Sequence, residues 1–155
     1  MEDKKLLFLI ETAIQKEEQA YDFYMDLYQR VQDRTARDTL TFVAGEEQKH
    51  KEFLIRYRDG QYVSDGLPMA EVVDYKLAEH LAKPDLQKDM ESKDVYLVAA
   101  HREWWSHEFY QNLAKAQPEG EVKDLLLRMA HEELRHKEKM EYLYANTAFP
   151  QLSGG

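Results

Sequence analysis

The chain has 155 residues, of which 43% are hydrophobic and 33% charged, and it carries a formal net charge of −9 with no cysteine. This length is enough for one domain with a hydrophobic core, whereas the negative charge and the lack of a basic patch argue against nucleic acid as a partner. The lack of cysteine excludes disulfides, thiolate metal sites and a rubredoxin-type iron centre within this sequence.

The first predicted hairpin covers residues from about 3 to 59. Apolar residues in alternating steps of three and four predict a helix over 3–31. A second helix is predicted from a capping box at Thr35 and Asp38 to the turn at Asp59-Gly60, and the short loop between the two helices makes them antiparallel. The inward faces are predicted to be Ile10, Ala13, Glu17, Ala20, Tyr24, Leu27 and Val31 on the first helix, and Leu40, Val43, Glu47, His50, Leu54 and Tyr57 on the second.

Residues 60–91 differ in character and are predicted to form a long crossover. Asp65-Gly66 is a turn signal, a short helix is predicted over 69–82, and Lys83-Pro84 ends it. A connection of this length can return along a bundle, so that the second and third long helices run parallel.

The second predicted hairpin covers residues from about 92 to 145 and is followed by an irregular tail over 146–155. Its first helix runs from Ser92 to just before Pro118, and Pro118 is placed in the first turn of the last helix. The inward faces are predicted to be Tyr96, Ala99, Glu103, Ser106, Tyr110 and Leu113, and then Leu126, Met129, Glu133, His136, Met140 and Leu143.

The two hairpins are copies of one unit. Residues 13–57 align with residues 99–143 without a gap, and thirteen positions are identical, including Glu-Glu-x-x-His at Glu46 to His50 and at Glu132 to His136. The predicted fold is therefore all-α: an antiparallel four-helix bundle of two duplicated helical hairpins with one long crossover, forming a single domain over residues 1–155.

Each inward face is interrupted at mid-length by residues that can bind metal. Glu and His three positions apart share a helix face, and buried carboxylates are costly unless they are compensated. No Lys or Arg falls on these faces, whereas two divalent ions would balance four carboxylates. Oxygen and imidazole donors without thiolate favour iron, with manganese as the alternative. The predicted ligands are Glu17, Glu47, His50, Glu103, Glu133 and His136, and small neighbours such as Ala13, Ala20, Ala99 and Ser106 leave room for ions and a small substrate.

These motifs resemble the ferritin-like di-iron domain of the rubrerythrin family over nearly the whole chain. The resemblance is carried by Glu17-x-x-Ala20-x-x-Phe23-Tyr24, Glu47-x-x-His50, Glu103-x-x-x-x-x-Phe109-Tyr110 and Glu133-x-x-His136. It implies that Glu47 and Glu133 are the bridging carboxylates and that Glu17, His50, Glu103 and His136 are terminal ligands.

The implied activity is reduction of hydrogen peroxide, or dioxygen, by a di-ferrous centre that receives its electrons from an external donor protein. The resemblance also implies a homodimer. Two features depart from the family: Ser106 stands where many rubrerythrins have a further Glu, and a rubredoxin domain is missing. Gln48 replaces the haem-binding Met of bacterioferritins, so no haem is expected.

Three functions stay open at this stage. They are peroxide reduction; a ferroxidase, iron-handling or hydroxylase role at the same site; and a non-catalytic metal-binding helical bundle. No signal-peptide layout or apolar run of about 20 residues is present, so we expect a soluble cytoplasmic protein that does not interact with a membrane.

Further residues were assigned from their helical positions. Tyr24 and Tyr110 are expected beside the ligands, as hydrogen-bond donors or redox-active phenols. Trp104 and Trp105 are off the inward face and are assigned to inter-hairpin or dimer packing, with an electron relay as the alternative. His107 is expected near the surface or beside a ligand, with a role as an extra metal ligand as the alternative. Glu46 and Glu132 are expected to be solvated.

Overall fold

The computed structural model describes residues 4–61, 67, 69 and 71–149. These residues form five helices, α1 (Lys4–Arg30), α2 (Arg34–Arg58), α3 (Leu77–His80), α4 (Ser92–Lys115) and α5 (Glu121–Ala148), and no strand occurs among them. The predicted all-α class is confirmed, and the four long helices are those that a ferritin-like bundle requires. The chain divides into two compact units, Met1–Gly66 and Leu67–Gly155, and the assignment of one domain to residues 1–155 stays a prediction.

In the first unit, α1 and α2 pack against each other through their apolar faces. The loop over 31–33 is too short for any arrangement of the two packed helices other than an antiparallel one. All thirteen residues predicted to face inward are buried in this unit. The alternating steps of three and four therefore located this interface correctly.

The ends of α2 show why it begins and stops where it does. Asp33 is the N-cap residue, because its carboxylate accepts a 2.9 Å hydrogen bond from the Ala36 backbone N–H. The predicted capping box at Thr35 and Asp38 is wrong, since both residues lie inside the helix, after its N-cap Asp33. At the other end Gly60 adopts a φ of 86°, and the Gln61 N–H donates to the carbonyl of Arg56 at 2.8 Å.

In the second unit, α4 and α5 form the matching antiparallel pair. Ten of the twelve residues predicted to face inward are buried, and Leu113 and Leu143 near the helix ends are half-buried. Helix α5 begins at Glu121 rather than at Pro118, because Gly120 occupies the N-cap position with a φ of 152°. It continues to Ala148, so part of the predicted tail is helical; residues 150–155 lie outside the described residues.

The crossover is mostly irregular. Its helix α3 covers only four residues, so the predicted helix over 69–82 is much too long; Asp65-Gly66 lies outside the described residues. Side chains of the long helices hold the crossover at several points. The ring Nε2 of His101 on α4 lies 2.8 Å from the Leu81 carbonyl oxygen, and Glu141 on α5 accepts a 2.8 Å hydrogen bond from the Ala78 N–H. Helix α3 packs against α4, in which every residue from 95 to 100 is buried.

Candidate metal centre

The first unit buries two carboxylates and one imidazole together. Glu17 comes from α1, and Glu47 and His50 come from adjacent turns of α2, with exposed fractions of 2%, 1% and 3%. The Nδ1 atom of His50 lies 3.7 Å from Oε2 of Glu17, and one donor atom from each of the three residues lies within 4.8 Å of the others. We call these three residues the first triad.

The helical spacing produces this convergence. Side chains three residues apart differ in direction by only about 60° around a helix. Glu47 and His50 therefore both face α1. Ala13 and Ala20, one turn on either side of Glu17, are also buried and leave space beside its carboxylate.

The second unit repeats the arrangement. Glu103 on α4, with Glu133 and His136 on α5, has exposed fractions of 1%, 1% and 3% respectively. Nδ1 of His136 lies 3.6 Å from Oε1 of Glu103, and one donor atom per residue again falls within 4.8 Å of the others. This second triad matches the first in residue type, burial and the distance from imidazole to carboxylate.

The donor chemistry fits a metal ion. Two ligand atoms bound to one ion at about 2.1 Å are about 3 to 4 Å apart, and the imidazole–carboxylate distances fall in that range. Both distances exceed that of an ordinary hydrogen bond. Carboxylate and imidazole donors without thiolate suit iron or manganese better than a tetrahedral zinc site.

The cations nearest to the second triad in sequence contact other carboxylates. Arg135 donates to Glu132 at 2.8 Å, and the ammonium of Lys137 contacts a cluster on the crossover and α5. Glu132 is only 3% exposed, so the prediction that it is solvated is wrong; the guanidinium of Arg135 compensates its carboxylate. Glu46 is partly buried and lies 3.6 Å from Lys49.

Lys137 is the centre of an ionic cluster that sequence analysis missed. Its side chain is fully buried, and its ammonium lies 2.5 Å from Asp74, 2.8 Å from Glu79 and 3.1 Å from Glu141. Burial acts to lower the pKa of Lys137, but hydrogen bonds to the three carboxylates outweigh it and raise the pKa above its ordinary value. For Asp74, burial acts to raise the pKa, and the bonds to Lys137 and the Lys76 N–H outweigh it, so the pKa is lowered.

One sequence signal could have found part of this cluster. Lys137 and Glu141 are four residues apart on α5 and so face each other, but their burial depends on the crossover. In the first unit the equivalent residue, Lys51, contacts Glu18 at 3.0 Å and remains 28% exposed.

The tyrosines of the inward faces occupy matching positions. Tyr24 is fully buried and Tyr110 is 1% exposed, and each packs edge-on against the preceding phenylalanine with ring centroids 5.3 Å apart. Each follows a ligand glutamate by seven residues, and long side chains on a helix lean toward its N-terminus, which directs each phenol ring toward the level of that ligand.

The remaining histidine and tryptophan assignments also have defined surroundings. Nδ1 of His107 lies 2.7 Å from the Ala130 carbonyl oxygen, so that nitrogen donates and is not directed to a metal. Trp104 lies 6.0 Å, ring to ring, from His101, and Trp105 is 48% exposed. Their role in dimer packing stays a prediction.

Paired helices that carry a buried Glu and a buried Glu-x-x-His are the arrangement of the ferritin-like carboxylate proteins. The model of the family described as Rubrerythrin matches residues 1–57, which include α1 and nearly all of α2. The match supports the resemblance to the rubrerythrin-like, ferritin-like family over the first hairpin. Comparisons with curated proteins and with solved structures found no match.

Proposed function

We propose that this protein is a non-haem di-iron oxidoreductase that reduces hydrogen peroxide, or dioxygen, with electrons from an external donor protein. The observation that supports this most is the repeated burial of two carboxylates and one imidazole at the centre of each helical hairpin. Ionised carboxylates at such depth cost several kcal/mol each unless a cation compensates them. In the proposal, two divalent ions provide that compensation.

Each of the six residues has a role in the proposal. Glu47 and Glu133 would hold the two ions together, and the other four ligands (Glu17, His50, Glu103 and His136) would each bind one ion. Iron bound in this way would supply two electrons for cleavage of an O–O bond, one from each ion. Manganese is the alternative metal, and haem has no part in the proposal.

Neighbouring residues would control access and protons. The apolar side chains that surround the triads exclude bulk water, and the small residues Ala13, Ala20, Ala99 and Ser106 restrict the space to a small oxidant. The phenols of Tyr24 and Tyr110 would donate hydrogen bonds to ligands or provide one electron each.

The proposal extends to partners and location. These 155 residues contain no cysteine that could bind an iron–sulfur centre. In the proposal, the electrons come from an external donor protein, as the family resemblance implies. Within the described residues, none of the helices combines the length and apolarity needed to cross a membrane. We propose a homodimer, as the family resemblance implies, and a cytoplasmic location, as expected from the sequence.

A metal count and a rate comparison test the proposal. Protein purified without added metal should contain close to two irons per chain, and the Glu47→Gln variant should lose most of it. The Glu46→Gln variant, altered one position away, should keep it. The di-ferrous protein, mixed without air, should then react faster with peroxide than with dioxygen. No bound metal would indicate a non-catalytic bundle, whereas a faster reaction with dioxygen would indicate a ferroxidase or hydroxylase.

A further inference from the structure

One segment of the crossover, residues 74–81, bonds to both helices that carry the second triad, and we call this segment the clasp. On α4, the Nε2 atom of His101 donates a 2.8 Å hydrogen bond to the Leu81 carbonyl oxygen. His101 precedes the ligand Glu103 by two residues, and helix α3 of the clasp packs against the same helix. The clasp therefore holds α4 close to the turn that carries its ligand.

On α5 the clasp bonds to the residue that directly follows a ligand. Lys137 comes immediately after His136, and its side chain is fully buried. Its ammonium lies 2.5 Å from Asp74 and 2.8 Å from Glu79, both in the clasp. Glu141, one turn further along α5, is also fully buried and accepts a 2.8 Å hydrogen bond from the clasp backbone. Buried charges are costly to separate, so α5 cannot shift against the clasp without a large loss of free energy.

Within the described residues of its own unit, the first hairpin has no equivalent of the clasp. Residues 4–61 comprise only α1, α2, the loop between them and residues 59–61. The residue equivalent to His101 is Gln15, which is exposed. The residue equivalent to Lys137 is Lys51, which is partly exposed and pairs with Glu18 on α1. The duplication thus provides two triads of the same donors, of which one adjoins a clasp.

Bonds that fix the surroundings of a ligand increase the affinity of a metal site. When the ligands are already held in place, less free energy is lost in ordering them as the ion binds. Residues that orient ligands without binding the metal typically change the affinity by about 10- to 100-fold. The two triads have the same donor types and nearly the same burial, so the clasp is the difference between their surroundings that bears on affinity.

We propose that the clasp positions the ligands of the second triad, so that this triad binds its ion first and about tenfold or more tightly than the first triad. The inference rests on the proposed function for the presence of the two ions. His101 and Lys137 act as positioning residues, because each holds a ligand-bearing turn in place and neither is a ligand. The chain therefore takes up its two ions in a fixed order.

Titration of the metal-free chain with Mn²⁺ tests the order of binding. The electron paramagnetic resonance signal of free aqueous Mn²⁺ measures the unbound ion, so one titration yields the first and the second dissociation constants. His136→Gln should weaken binding of the first ion about tenfold or more, whereas the matched variant His50→Gln should weaken mainly binding of the second. Equal effects of the two variants on the first ion, or the reverse order, would overturn the proposal.

Variants of the clasp contacts test the cause of the order. His101→Ala and Lys137→Met should each weaken binding of the first ion about tenfold, and Lys51→Met, at the equivalent position of the first hairpin, should not. His101→Gln should keep the wild-type affinity, because the amide nitrogen of Gln can take the place of Nε2 and donate to the Leu81 carbonyl. Circular dichroism verifies that each variant is folded, and the two His101 variants decide the result if Lys137→Met unfolds.

Two results with these variants would refute the role of the clasp. One is unchanged binding of the first ion in His101→Ala. The other is tighter binding in Lys137→Met, because that variant leaves three carboxylates without their ammonium and would then act through charge alone.

The outcome is separable from that of the proposed function. Two ions bound with equal affinity would reject the clasp and keep the two-metal site. Two ions bound in the proposed order, in a protein whose di-ferrous form does not react with peroxide, would keep the clasp and reject the peroxidase. Binding of no ion would reject both.

Discussion

Replacing Glu47 by Gln should stabilise the metal-free protein while abolishing its metal binding. Glu47 is 1% exposed, and its carboxylate has a donor atom within 4.8 Å of that of Glu17. Two unit charges at that distance repel by about 3 kcal/mol at an effective dielectric constant of about 20. Gln has nearly the same shape as Glu and removes this repulsion together with the cost of burying one charge.

The expected gain is about 1 to 3 kcal/mol, because the buried amide of Gln still costs free energy to remove from water and offsets part of the relief. For a chain of this length that gain corresponds to a rise in Tm of about 2 to 12 °C. Thermal unfolding followed by circular dichroism at pH 8, in a chelating buffer, measures the rise, and titration with iron or manganese measures the loss of binding.

Glu46→Gln is the matched control. Glu46 lies at the adjacent helical position and is paired at 3.6 Å with an exposed Lys49. Its replacement by Gln should change the free energy of unfolding by no more than about 1 kcal/mol. An unchanged or lowered Tm for Glu47→Gln, or retained stoichiometric metal binding, would contradict the assignment of Glu47 as a buried ligand.

Three further predictions concern stability. Asp33→Ala should destabilise the protein by about 1 kcal/mol through loss of the α2 cap, whereas Thr35→Ala should have little effect. Urea unfolding measures both variants, and equal effects would instead support the capping box predicted at Thr35 and Asp38. Lys137→Met should cost about 3 to 5 kcal/mol, because it leaves three carboxylates uncompensated. Lys51→Met, at the partly exposed equivalent position, should cost less than about 1 kcal/mol, and similar losses for the two variants would refute the ionic cluster. The lowered pKa of Asp74 contributes stability that is present above about pH 4 and is lost as the pH falls through its folded-state pKa. The free energies of unfolding of wild type and Asp74→Asn should therefore converge in acid. A difference that stays constant with pH would argue against this contribution of Asp74.

The helical periodicity predicted most of the fold, because burial on a helix follows directly from spacing. The inward residues of α1 and α2 all proved buried, and the glutamates that interrupt these faces lie at the same depth as their apolar neighbours. The duplication strengthened this prediction, because a wrong choice of inward face on one helix would have disagreed with the face of the equivalent helix in the other hairpin.

Features that depend on contacts distant in sequence were not predictable. Asp33 and Thr35 are both good capping residues, and only the path of the loop decides between them. The crossover has no apolar period, and contacts with Lys137, Glu141 and His101 hold it in place. The burial of Glu132 likewise depends on its ion pair with Arg135. The position of Glu132 around the helix does not by itself predict that pair.

The two copies of one lysine illustrate how a repeated unit acquires a new part. Lys51 pairs with Glu18 across the first hairpin, whereas the residue equivalent to Glu18 in the second hairpin is Trp104, which offers no carboxylate. The ammonium of Lys137 is instead directed to the crossover. The same side chain therefore makes a surface ion pair worth about 1 kcal/mol or less in one hairpin and holds the crossover to α5 in the other.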